Sequence, residues 1–114
     1  VLMSDVGGHG DVAAFNVVRQ DGSPAMPDNG PLVSGTFAPT NIGATDTFPA
    51  PAPSTTPAAN LAAYNGPASA ANGNWSLYVV DDLTGDSGSF SGWSLTFTTA
   101  AGAPTTVAVG NASA

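Results

Sequence analysis

Asn72-Gly-Asn-Trp-Ser-Leu-Tyr-Val-Val-Asp-Asp-Leu-Thr-Gly-Asp-Ser-Gly-Ser-Phe-Ser-Gly-Trp-Ser-Leu-Thr-Phe97 is the stretch on which the fold class turns. Its first part places Trp75, Leu77 and Val79 on one face of an extended chain and Ser76, Tyr78 and Val80 on the other. That period of two predicts a strand buried on one side and partly covered on the other. Asp81 to Gly88 is rich in Asp and Gly and marks a turn. Beyond it, Trp93, Leu95 and Phe97 alternate strictly with Ser94, Thr96 and Thr98. The pair predicts an antiparallel hairpin with an Asp-rich connection. After a break at Ala100-Ala-Gly-Ala-Pro104, residues 105–109 (Thr-Thr-Val-Ala-Val) form a further candidate strand.

Working upstream, the organisation is that of short strands between long loops. Val1-Leu-Met-Ser4 has the character of a strand, and because no turn or cap precedes its apolar run, the expectation is a domain that opens partway through its fold. Asp5-Val-Gly-Gly-His-Gly-Asp11 is a Gly/Asp turn, and Ala13, Phe15 and Val17 then share one face of a candidate strand. Residues 20–31 contain three prolines and Asp-Gly and Asn-Gly breakers, which predicts a loop. Leu32 to Ala38 resumes as a short strand. Residues 48–57 alternate proline with small residues in a polyproline-like span, and Ala58 to Tyr64 has length for a turn or two of helix, with Leu61 and Tyr64 directed to the core.

Composition narrows the function classes. The 114 residues amount to one domain. They carry eight acidic side chains, all Asp, against the single Arg19, for a formal net charge of −7. Phosphate recognition needs several cations to displace counterions, so nucleic acid is excluded as an electrostatic partner, and so is attraction to an anionic membrane surface. No run of about 20 apolar residues exists for membrane insertion. Without cysteine there is neither a disulfide framework nor a thiolate metal site. Gly, Pro, Ser, Thr and Asn take the place of the Glu and Lys that populate soluble helices, which is a β and turn composition. This surface chemistry suggests a secreted bacterial protein, extracellular or at the cell surface.

The 72–97 stretch resembles the closing motif of the P domain, or Homo B domain, that follows the catalytic domain of kexin-like and furin-like subtilases and recurs in bacterial secreted proteins. The motif runs Asn-Gly-x-Trp-x-Leu-x-Val-x-Asp, then Gly-Asp-x-Gly, then Gly-Trp-x-Leu-x-Phe. It is met by Asn72, Gly73, Trp75, Leu77, Val79, Asp81, Gly85, Asp86, Gly88, Gly92, Trp93, Leu95 and Phe97. Leu2 to Gly8, Pro31 to Pro39 and Asp46 to Pro51 are also similar to bacterial versions, so the resemblance covers residues 1–99. It implies an all-β, antiparallel, jelly-roll-like β-sandwich, here with long Pro/Gly-rich loops, lacking the family's usual N-terminal strands. Residues 100–114 are then a C-terminal extension holding an extra or donated strand.

No catalytic constellation emerges. His9 is the only histidine and sits in a Gly-rich turn without a nucleophile motif, so it is expected to face solvent. Asp81 and Asp82 lack a recognisable cleft to perturb them. The resemblance likewise implies a non-catalytic module, so the expectation is that the chain is not an enzyme and has no catalytic residues. Calcium is the one cofactor with a chemical basis: Asp81, Asp82, Thr84 (through its carbonyl) and Asp86 bring hard oxygen donors to one Gly-containing turn, and Asp5 and Asp11 flank a second. Neither turn has EF-hand spacing, and the competing and weightier reading is that Asp81 and Asp86 cap the hairpin through hydrogen bonds to the backbone. Trp75 and Trp93 could stack on a sugar, but they share faces with Leu77, Val79, Leu95 and Phe97, which favours packing.

Together these features lead to one expected role, a module that stabilises or positions a neighbouring domain or protein chain. The alternatives are a self-assembling subunit of a cell-surface filament, with residues 105–109 donated between chains to fill an open sheet edge, and a fragment of a secreted subtilase.

Overall fold

Short apolar runs interrupted by Gly, Pro and Asp can sustain only short ladders, and most of the strands are two or three residues long. The computed structural model describes residues 1–53, 55–56, 60–67, 71–81, 84–85, 87–98 and 104–109. In chain order the elements are β1 (Met3–Ser4), β2 (Val17–Arg19), β3 (Gly35–Phe37), β4 (Thr40–Asn41), β5 (Asp46–Thr47), β6 (Thr55–Thr56), a 3₁₀ turn (Leu61–Tyr64), β7 (Trp93–Thr98) and β8 (Pro104–Val109). The class is therefore strand and turn, with no α-helix among the described residues. None of the described helices is long and apolar enough to cross a membrane.

The strands pair two by two. β1 lies parallel to β4, with Ser4 opposite Asn41, and β2 lies parallel to β3, with Arg19 opposite Phe37. β5 and β6 are antiparallel. So are β7 and β8, which hold a six-pair register from Trp93 opposite Val109 to Thr98 opposite Pro104. Among the described residues, two of these four pairs thus depart from the antiparallel arrangement expected throughout. Parallel pairing needs a crossover of about a dozen residues or more, and the Pro-rich segments 20–34 and 5–39 provide one without any local signal in the strands themselves.

The chain divides into two units, Val1–Ser76 and Leu77–Ala114. In the first, loops dominate and backbone bonds tie them to the short strands. Gly7 donates to the Pro27 carbonyl (2.9 Å), Ala38 to Pro24 (2.9 Å), and Gly35 to Asn16 (3.0 Å). Gly7 is buried, has φ +87°, and a Cβ there would stand 2.5 Å from Leu32 Cγ, so the close approach of the two loops requires glycine. Asp5, at φ +54°, takes the left-handed conformation that ends β1. Among the described residues the one buried hydrophobic side chain is Met26, 3% exposed. Its N–H donates to Thr40 Oγ (3.0 Å), and that hydroxyl, itself buried, donates to the Ala38 carbonyl (2.9 Å). The loop of residues 20–34 is thereby stitched to the start of β4 by one hydroxyl that both accepts and donates.

In the second unit β7 keeps the alternation its sequence dictates: Trp93, Leu95 and Phe97 are half-buried while Ser94, Thr96 and Thr98 are exposed. Its partner differs from the one expected. Residues 74–80 carry no ladder, and β7 pairs with β8 instead. Alternation sets which face is buried but not which strand lies alongside. Closing the ladder across residues 99–103 costs less chain entropy than closing it across residues 81–92, by roughly 1 kcal/mol. Pro104 occupies the first position of β8, where a missing N–H is tolerated.

Candidate functional site

Of the residues proposed for calcium, Asp81 and Thr84 are described and exposed, whereas Asp82 and Asp86 lie outside the described residues. Among the described residues no group of three or more His, Asp, Glu or Cys side chains converges on a metal-sized site. In the Gly-rich turn before β2, Asp5, His9 and Asp11 are all exposed. Trp75 is half-buried: its indole N–H donates to the Ala71 carbonyl (2.9 Å), and its ring meets Tyr64 edge-on at 4.8 Å between centroids and 63° between planes. Such an edge-to-face pair contributes about 1 kcal/mol beyond its buried area. Trp75 therefore packs against the 3₁₀ turn through Tyr64, not along a strand face.

Two features carry chemistry that the sequence did not single out. One lies where β1, β4 and β5 come together. Ser4 Oγ donates to Asp46 Oδ1 (2.8 Å) and is 3.4 Å from Asp5 Oδ2, while the second carboxylate oxygen of Asp46 and the Asn41 side-chain oxygen are buried without a hydrogen-bond partner. Buried acceptors in that condition cost about 1–3 kcal/mol each.

The other is a pocket of about 270 Å³ lined by Arg19, Gln20, Asp21, Leu61, Ala62 and Asn65. It forms because β2 ends at Arg19 and the chain turns back through Gln20 and Asp21 against the 3₁₀ turn. Asp21 Oδ2 accepts from the Ala62 N–H at 2.6 Å, a bond that N–H shares with Asn60 Oδ1 at 3.1 Å. The two side chains together cap the turn. On the other side of the pocket Arg19 is half-buried, its guanidinium donating to the Ala38 carbonyl (3.2 Å). Burial pushes its pKa below the usual arginine value, because the charged form is the one that loses hydration. The signal available beforehand was that Arg19 is the single Lys or Arg of the chain. Its place in the lining of the pocket follows from the contact of the neighbouring Asp21 with Ala62 of the 3₁₀ turn.

No family model, no curated protein and no solved structure matches the chain.

Proposed function

We propose that the chain is a non-catalytic, extracellular module of the P-domain kind, a jelly-roll-like β-sandwich that stabilises or positions a neighbouring domain or protein chain. The observation that carries this reading is the spaced motif from Asn72 to Phe97. The half-buried face of Trp93, Leu95 and Phe97 is consistent with it. The distribution of apolar side chains lends further support. Met26 is the one buried hydrophobic among the described residues, whereas Val18, Val33 and Val79 are more than half exposed and Leu2, Met3, Tyr64 and Tyr78 are at least 38% exposed. A chain with so much uncovered apolar surface gains free energy when another surface covers it, at about 25 cal/mol per Å². Within the same reading Asp81, Asp82, Thr84 and Asp86 are the residues that would hold calcium, the weightier alternative being that Asp81 and Asp86 cap the turn through backbone hydrogen bonds.

Light scattering coupled to size-exclusion chromatography, with a fluorescent dye for apolar surface, tests the role. The docking module is a dispersed monomer that binds the dye, and Tyr78→Ser with Val79→Ser reduces dye binding. A monomer without dye binding contradicts it. The filament reading retains one favourable observation, the full six-pair register of β8 on β7, which a strand from a second copy would reproduce unchanged. It predicts polymers that dissociate when residues 103–114 are deleted.

A further inference from the structure

We propose that the pocket between the end of β2 and the 3₁₀ turn binds a small hydroxylated carboxylate, a sugar acid of single-ring size. This goes beyond the module role and stands independently of it.

A half-buried guanidinium gives up hydration that one carbonyl does not replace. Arg19 has five N–H donors in a rigid fork, and its protein contact is the Ala38 carbonyl. The carboxylate nearest to it in sequence, Asp21, is committed through Oδ2 to the Ala62 N–H. The remaining donors of the fork suit a carboxylate, which guanidinium holds bidentately.

The rest of the lining decides what that carboxylate is attached to. Gln20 and Asn65 bring amides that both donate and accept, and Asp21 adds an acceptor oxygen, so hydroxyl groups would find partners on that side. Leu61 and Ala62 give the pocket an apolar side for the C–H face of a ring. At about 270 Å³ and open to solvent, the hollow has room to seat one ring against Leu61 and Ala62.

The test is a titration of the ¹⁵N-labelled 114-residue chain with glucuronate, glucose and acetate, followed by amide shifts. Glucuronate is expected to give saturable shifts at Gln20, Asp21, Ala62 and Asn65. Glucose, which lacks the charge, and acetate, which lacks the hydroxyls, bind at least about tenfold more weakly. Arg19→Gln abolishes the glucuronate response. Because Arg19 also holds the Ala38 carbonyl, Asn65→Asp serves as the second variant. It adds a negative charge to the pocket without touching that contact, and weakens glucuronate about tenfold while the melting temperature stays unchanged. The proposal is overturned if glucuronate gives no saturable shifts at these residues, if glucose or acetate binds as tightly, or if Asn65→Asp leaves the affinity unaltered.

Discussion

Residues 1–76 and residues 77–114 hold their strands together by different means. In the first unit, strands of two or three residues pair in parallel across long loops, and what fixes them is a small number of specific contacts: Met26 in its buried site, Thr40 bonded in two directions, Gly7 against Leu32. In the second, two six-residue strands run antiparallel across a short connection in one continuous register. Two-stranded ribbons are marginal in isolation, so the long hairpin draws on the apolar face of Trp93, Leu95 and Phe97, and the short ladders draw on their loops. The first kind of order is sensitive to single side chains. The second is spread over a whole strand.

That contrast can be broken most forcefully at Met26. Met26→Ala empties the one buried apolar site among the described residues and is expected to cost about 2–4 kcal/mol. Amide hydrogen exchange would show protection falling in β1 to β4 and unchanged in β7 and β8; an equal loss in both units would erase the distinction. Gly7→Ala comes next, at about 2 kcal/mol, because the added methyl meets Leu32 and the backbone remains at positive φ. Chemical denaturation of the variant measures it.

Thr40→Val separates the hydroxyl from the shape of the side chain. It leaves the Met26 N–H without its acceptor and should destabilise by about 1–2 kcal/mol, whereas Thr40→Ser keeps the bond and loses less. Equal losses for Val and Ser would mean that packing, not the hydrogen bond, is what Thr40 supplies. Calcium tests the Asp-rich turn of the second unit. If Asp81, Asp82, Thr84 and Asp86 hold the ion, millimolar calcium raises the melting temperature and Asp86→Ala removes the rise, while a capping role predicts no calcium response. The smallest effect belongs to Ser94→Thr on the exposed face of β7. A β-branched residue there should stabilise the hairpin by about 0.5 kcal/mol and leave the first unit untouched.

The same contrast explains what the amino-acid sequence disclosed. The alternation of Trp93, Leu95 and Phe97 with Ser94, Thr96 and Thr98 was legible because burial in a strand follows a period of two, whichever strand lies alongside. The partner was not legible, since both 75–80 and 105–109 alternate and only the geometry of closure chooses between them. Short strands at Met3–Ser4 and Gly35–Phe37 fall within the expected segments, as does the turn at Leu61–Tyr64, whereas Val17–Arg19 overlaps only the end of the strand expected over residues 13–18. Their parallel pairing left no trace, because it is decided by loops of a dozen residues or more and by contacts such as Met26 to Thr40. The pocket was hidden for the same reason. Arg19 was conspicuous as the lone cation, but nothing local could bring it near Leu61 and Asn65.

In the proposed role β8 completes the ladder of its own chain, so that exposed apolar surface, not a donated strand, would be what a neighbour meets. An isotope-filtered NOE experiment on an equal mixture of labelled and unlabelled chains tests it most directly. Contacts between residues 93–98 and 104–109 are expected within labelled chains, with Leu95 opposite Val107, and none between labelled and unlabelled chains. Contacts of that register between chains would contradict it.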